Sequence, residues 1–271
     1  MESSNIINDT PINNDVPIIN DVPIINDANI SNDAPINQVV VSKDTIKRLI
    51  KDIRDLIKNP LTSDGIYYSH DEDNFMKGYA MIVGPKDSIY FGGFYFFCFD
   101  FPSDFPFSPP KLFYATNDGV TRFHPNFYKS GKVCLSILNT WRGESWSACQ
   151  TIRSILLTLL SILDSKPLLH EPGYSESSSD FTKYNKLILY KNVEFSILRT
   201  ISINANKFFL PKLISIFEDQ IKDSFKQNKN EIYEIIKKYE NDNESMIYIQ
   251  CYQSKHTINW SQICSVFKQQ M

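Results

Sequence analysis

The run Phe94-Tyr95-Phe96-Phe97-Cys98-Phe99-Asp100-Phe101 constrains the fold of this chain more than any other stretch. Gly92-Gly93 precede it and Pro102 closes it, so it reads as one strand bounded by breakers. Successive side chains of a strand point to opposite faces, and here both faces are apolar. Such a strand is buried on both sides of its sheet. Something must therefore cover the far face, and a helix is the natural cover.

Neighbouring segments supply the rest of the sheet. Ile66-Tyr67-Tyr68 is a short strand-like run, residues 75–83 make a longer one, and Gly84-Pro85-Lys86-Asp87-Ser88 is a turn. Phe105-Pro106-Phe107-Ser108-Pro109-Pro110 is too proline-rich for strand or helix, while Lys111-Leu112-Phe113-Tyr114-Ala115-Thr116 reads as one more strand. Ahead of them Ile46, Leu49, Ile50, Ile53, Leu56 and Ile57 recur at helical spacing behind Ser42 as N-cap, and Asn59-Pro60 stops that helix. Further on, Ser147 opens a helix over 147–163 whose Ile152, Ile155, Leu156, Leu159, Leu160 and Leu163 make it the central helix packed on the sheet. Residues 181–202, 214–240 and 261–268 read as further helices. The sum is an α+β fold: an N-terminal helix, a four-stranded antiparallel meander, a central helix on the sheet, and C-terminal helices.

Residues 8–37 repeat a hexad: NDTPIN, NDVPII, NDVPII, NDANIS, NDAPIN. Proline in four copies removes a sheet donor each time, so residues 1–40 are expected to be a disordered tail. A core domain over 41–203 follows. The more polar composition beyond it marks 204–271 as a helical extension rather than a second core. The net charge of −3 offers no broad attraction to nucleic acid or membrane. No run approaches the ~18 apolar residues of a membrane span, and the acidic, Asn-rich start lacks the marks of a signal peptide. Five cysteines without a Cys-x-x-Cys pair fit a reducing compartment better than disulfides or a metal site. A soluble monomer of the cytoplasm or nucleus is expected, or of the host cytoplasm if the chain is viral.

One thiol stands apart. In His124-Pro125-Asn126-Phe127-Tyr128-Lys129-Ser130-Gly131-Lys132-Val133-Cys134, Pro125 cannot continue a helix and Ser130-Gly131 adds a second turn. A loop that turns back twice can hold Cys134 at the surface with Asn126 folded over it, and Lys129 and Lys132 nearby favour the thiolate. An isolated cysteine is nevertheless more often a small buried hydrophobe. A papain-like hydrolase would need a base and an orienting partner, with only His70, His124, His170 and His256 to draw on.

The motifs around this thiol settle which chemistry it resembles. His124-Pro125-Asn126, seven residues, then Cys134-Leu135-x-Ile137-Leu138 resembles the active-site signature of ubiquitin-conjugating enzymes (E2s). Gly84-Pro85, Tyr90-x-Gly92-Gly93 and Phe101-Pro102-x-Asp104-Phe105-Pro106-Phe107-x-Pro109-Pro110 resemble the same family in the same order, and Trp146-Ser147 follows the cysteine as expected. The likeness is nearest to the large Z-type members, through Asn126-Phe127-Tyr128, Gly131-Lys132-Val133-Cys134-Leu135-Ser136-Ile137-Leu138, the insertion Thr140-Trp141-x-Gly143-x-x-Trp146-Ser147, and Glu171-Pro172-Gly173.

The resemblance implies the UBC fold and a transfer reaction. An activating enzyme (E1) hands ubiquitin or a ubiquitin-like protein to Cys134 as a thioester, and a substrate lysine, often presented by a ligase (E3), attacks it. It assigns oxyanion stabilisation to Asn126 and loop shaping to His124 and Pro125. It places E1 and E3 contacts at Lys47, Arg48 and Lys51 and at Phe107, Ser147 and Ala148. No cofactor is implied, since ATP is consumed by the E1. The chain departs from the pattern at Ser136 and Lys166, where many members carry acids that prepare the lysine, so Asp164, His170 and Ser136 are the candidates for that task. An E2-variant scaffold that binds ubiquitin without conjugating it is the non-enzyme rival, and Cys134 argues against it.

Overall fold

The computed structural model describes residues 41–202 and 211–271. The hexad tail, and the boundary between core and extension at 203/204, lie outside them. Helix α1 (Lys43–Lys58) starts where Ser42 accepts the Thr45 N–H at 2.9 Å and stops at Asn59 before Pro60. Its inner stripe is rotated from the expected apolar face, keeping Leu49, Leu56 and part of Ile53 inside. Thr45, Leu49, Asp52 and Leu56 are buried, whereas Ile46 and Ile57 are exposed, Ile57 at 72%. Polar anchors set this rotation: the Thr45 hydroxyl donates to the Ser103 and Phe105 carbonyls, and Asp52 takes Arg48 and the Ile152 N–H.

Strands β1 (Ile66–His70), β2 (Lys77–Val83), β3 (Phe94–Asp100) and β4 (Lys111–Tyr114) form an antiparallel meander in the order β1-β2-β3-β4. In β3, Phe97 packs on Tyr114 and Phe127 and Phe99 on Tyr68, toward the loop that carries the site. The alternate residue Phe96 points the other way and stacks on Phe217, with ring centroids 6.2 Å apart. Phe217 joins α4 (Pro211–Ile216) to α5 (Glu218–Tyr239), and these helices are the cover that the doubly apolar strand demands. Lys212 fastens α4 to the sheet by bonds to Asp71 and the Tyr79 hydroxyl.

Helix α2 (Ile152–Ser161) buries Ile152, Ile155, Leu156 and Leu159 completely. It begins later than expected, because Thr151 and Ser154 form a capping box and Ser147 stays outside the helix. Helix α3 (Phe181–Lys191) continues into a wider π turn, Asn192–Arg199. Asn192 is buried there, accepting the Tyr95 hydroxyl and donating to the Phe91 carbonyl. A Cβ on Gly93 would lie 1.9 Å from that Asn192 oxygen, so the second glycine of Gly92-Gly93 is needed for close approach.

The extension is not all helical. After α5 comes a hairpin, β5 (Glu244–Ile249) with β6 (Ser254–Ile258), then α6 (Trp260–Lys268). Ile247, Ile249, His256 and Ile258 face inward while Met246, Tyr248, Lys255 and Thr257 face out. The turn between the strands contains no glycine, proline or asparagine, and Gln253 takes the left-handed φ of 48° instead. Trp260 and Phe267 are fully buried, so the extension shares one core with the sheet domain.

Candidate active site

The segment 123–134 leaves β4 and returns toward it. Gly131, at φ 82°, lies so close to Phe113 that an added Cβ would fall 2.0 Å from its ring, and the Gly131 carbonyl accepts the Tyr114 N–H at 2.7 Å. Phe127 bridges to Val133 and inserts between Phe97 and Tyr114. This doubled-back loop brings Asn126 against Cys134. The Cys134 N–H donates to the Asn126 carbonyl at 2.9 Å, and Asn126 Nδ2 donates to the Cys134 carbonyl at 2.5 Å. Asn126 Oδ1 is buried without a partner.

Cys134 is not at the surface, as its loop position suggested; it is 2% exposed. The segment that follows it turns back on the backbone beside it. Asn139 adopts a left-handed φ of 57°, the Thr140 N–H returns to the Leu135 carbonyl, and Thr140 Oγ1 accepts the Leu135 N–H at 2.9 Å. Trp146 pins the far end, donating from its N–H to Asn139 and from its indole to the Pro106 carbonyl, both at 2.7 Å. Between them Gly143 abuts Ser136, half-buried two residues beyond the thiol. The Lys132 ammonium lies over the Tyr128 ring, 5.8 Å from its centroid.

His124 and Pro125 lie within this loop, and their carbonyls accept from Arg122. His124 is fully buried, and its Nδ1 accepts the Asn126 N–H at 3.0 Å. Burial holds its imidazole well below the usual histidine range, with neighbouring His170 pushing the same way. Through its Nδ1 the His124 ring is engaged in holding the loop. His170 lies 4.9 Å from it, centroid to centroid, and bonds through Nε2 to Asp164 at 2.8 Å. Burial opposes ionisation of Asp164, yet the bonds from His170 and the Lys166 N–H hold its carboxyl below the usual range. Two of the three residues singled out for lysine preparation, Asp164 and His170, are therefore one hydrogen-bonded pair, with the His170 ring tilted at 54° to His124. Lys166 itself is turned to Glu176 at 2.6 Å.

A family model described as ubiquitin-conjugating enzyme matches residues 48–194, more than half of the 271 residues. The chain belongs to the ubiquitin-conjugating enzyme family. It is 36% identical over 159 residues to ubiquitin-conjugating enzyme E2 Z of Xenopus tropicalis, covering 58% of this chain and 50% of that protein. Likeness to the human E2 Z is 37% over 153 residues, covering 55% and 43%. A probable ubiquitin-conjugating enzyme of Acanthamoeba polyphaga mimivirus is 37% identical over 198 residues, 69% of this chain and 13% of that protein. The chain thus spans about half the length of the first curated relatives it matches.

The other E2-type positions divide into open and closed. Lys47, Lys51, Ser147 and Ala148 are exposed, and Phe107 presents 75% of its surface to solvent. Arg48 departs from the open basic face. Its guanidinium turns inward, pairing with Asp52 at 2.9 Å and donating to the Ala148 and Gln150 carbonyls. Position 48 thus ties α1 to the loop before α2. Asp52, a carboxylate on the inner stripe four residues after Arg48, was the sequence signal for this. Two further residues support the E2 loop: Thr140, which opens the Z-type insertion but was given no role from the sequence, and Arg122, which no motif marks. Arg122 donates to the Pro125 carbonyl at 2.5 Å and to the His124 carbonyl at 3.4 Å. Among the described residues no cluster of His, Cys, Asp and Glu is arranged to hold a metal ion, and no helix is long and apolar enough to cross a membrane.

Proposed function

We propose that this protein accepts ubiquitin, or a ubiquitin-like protein, on Cys134 and passes it to a lysine. The Cys134 thiolate attacks the E1-bound thioester, the E1 cysteine leaves as thiolate, and the new thioester forms on Cys134. A deprotonated lysine amine then attacks the same carbonyl, the Cys134 thiolate leaves, and an isopeptide bond remains after the amine loses its second proton. A thiolate is both a good nucleophile and a good leaving group, so one difficult acyl transfer becomes two easier ones.

The observation that carries this reading is the double hydrogen bond between Asn126 and Cys134, within the region the family model matches. It keeps a side-chain amide on the backbone of the cysteine, and in this reading that amide turns to the oxyanion of the thioester, where one such donor is typically worth ~10²–10³ in rate. The Asp164–His170 pair, with Ser136, is assigned the orienting of the lysine. Asp164 is held ionised near neutral pH and can accept a hydrogen bond from the incoming ammonium, orienting it.

The E1 docks on α1 through Lys47 and Lys51, and a ligase grips Phe107 with Ser147 and Ala148. The protein works as a monomer in the cytoplasm or nucleus, with no bound cofactor, because ATP is spent by the E1. The test is incubation with E1, ATP and ubiquitin followed by a non-reducing gel. An adduct that thiol reductant removes, and that Cys134→Ala abolishes, is expected. If the wild type stays uncharged with ubiquitin and other modifiers across several E1s, the reading fails.

A further inference from the structure

The Arg122 guanidinium that holds the His124 and Pro125 carbonyls also lies over two aromatic rings. Tyr128 lies 3.4 Å from it on the loop, and Tyr252 lies 5.3 Å away, centroid to guanidinium carbon. Tyr252 belongs to the turn of the C-terminal hairpin, more than a hundred residues downstream. That turn is bolted down around the ring. The Tyr252 hydroxyl donates to Glu171 at 2.9 Å, the Cys251 N–H donates to Asp180 at 2.7 Å, and the ring packs on Tyr184 at 5.6 Å. Tyr184 in turn donates from its hydroxyl to the Arg122 carbonyl at 2.6 Å.

We infer that Arg122 and Tyr252 are positioning residues for Asn126, so that the C-terminal hairpin sets the geometry of the transfer step. The inference rests on the proposed thioester chemistry. The two carbonyls that Arg122 holds immediately precede Asn126, and their direction fixes the backbone from which its amide projects. A guanidinium can do this because its donors form a rigid planar fork. Contact with both rings limits the directions the fork can take, and removing Tyr252 takes one of those contacts away. The loop would then sample orientations in which the Asn126 amide misses the oxyanion, a loss of preorganisation rather than of any reacting group.

The experiment charges wild type, Tyr252→Ala, Tyr252→Phe and Arg122→Lys with ubiquitin and follows single-turnover discharge to free lysine. The rate constant is read per thioester, so a loss of folded protein does not enter it. Tyr252→Ala and Arg122→Lys are expected to slow discharge at saturating lysine by about 10-fold, with the half-saturating lysine concentration unchanged. Tyr252→Phe, which keeps the ring over Arg122, stays within about twofold of wild type by the same argument. Hydrogen exchange at the Asn126 N–H, which needs no E1, should be faster in Tyr252→Ala. Wild-type discharge and wild-type exchange in Tyr252→Ala would overturn this proposal alone, and so would a slowing confined to the lysine half-saturation. A wild type that never charges would overturn the thioester reading and this proposal with it.

Discussion

Asn126 holds Cys134 by both ends of its peptide unit, taking the N–H on its own carbonyl and giving its side-chain amide to the cysteine carbonyl. The amide is therefore engaged in the resting protein and must release that carbonyl to serve a developing oxyanion. Asn126→Ala removes the donor and should slow lysine discharge by ~10²–10³. It also strands the buried Cys134 carbonyl, so a destabilisation of about 1–3 kcal/mol is expected in a urea titration. Discharge at the wild-type rate would remove Asn126 from the reaction.

Burial of Cys134 predicts an inverted order of thiol reactivity. Cys149 is exposed and lies in the same region of sequence. Brief alkylation with iodoacetamide, mapped by mass spectrometry, should label Cys149 first, with Cys134 following only as residues 140–146 open. Equal labelling at the earliest times would mean that the thiol is open at rest.

Arg48 and its basic neighbours should separate cleanly. Arg48→Ala leaves Asp52, whose side chain is 3% exposed, without its cation. A loss of about 2–4 kcal/mol in unfolding free energy is expected. Lys47→Ala and Lys51→Ala should change stability by no more than about 0.5 kcal/mol while slowing E1 charging. If Arg48→Ala is as stable as those two variants, its inward pairing has no energetic weight.

Three histidines make stability fall on mild acidification. Burial holds His70 below the usual range against the pull of the Phe75 carbonyl and Asp71, and it holds His124 well below. His256 is pushed down to about 4 by burial, then by Lys191, with Asp118 opposing. The unfolded chain takes up these protons near pH 6.5 while the folded protein refuses them, so stability is full above that pH and is lost as pH falls toward 4. His256 contributes up to about 1.4 kcal/mol per pH unit in that window, and His70 and His124 act in the same direction. Asp164 and Asp71, held low in the fold, add their losses as pH falls through the ordinary carboxylate range and below it. Melting temperatures from pH 7 to 4.5 should decline, and His256→Gln should flatten the slope; a flat wild-type profile would contradict the assignment.

Phe107 should matter to a partner and to nothing else. Phe107→Ala is expected to melt with the wild type and to lose ligase-stimulated transfer while keeping E1 charging.

Much of this was legible because it is local. The meander, the cap at Ser42 and the need to cover both faces of the Phe94–Asp100 strand follow from alternation and breakers within a few residues. Asn126 and Cys134 were marked by a motif. What escaped depends on distant partners. The motif that contains Thr140 does not announce that its hydroxyl will bond back to the Val133 and Leu135 backbone. Ser147 looks like a helix cap as good as Thr151, until Arg48 takes the carbonyls beyond it. The hairpin was hidden because Gln253, not glycine, takes the left-handed position in its turn. Arg122 carries no signature at all, since both rings that hold it are brought there by the fold.

The stacking of Phe96 on Phe217 has a consequence for inheritance. A strand apolar on both faces cannot be altered on one side alone, so residue size at 96 and at 217 must change in concert. Relatives that lack helices equivalent to α4 and α5 should carry polar side chains where Phe94 and Phe96 stand here. The extension and the sheet then descend as one unit of selection, and a recombination that exchanged only one would yield a protein with an unprotected aromatic surface.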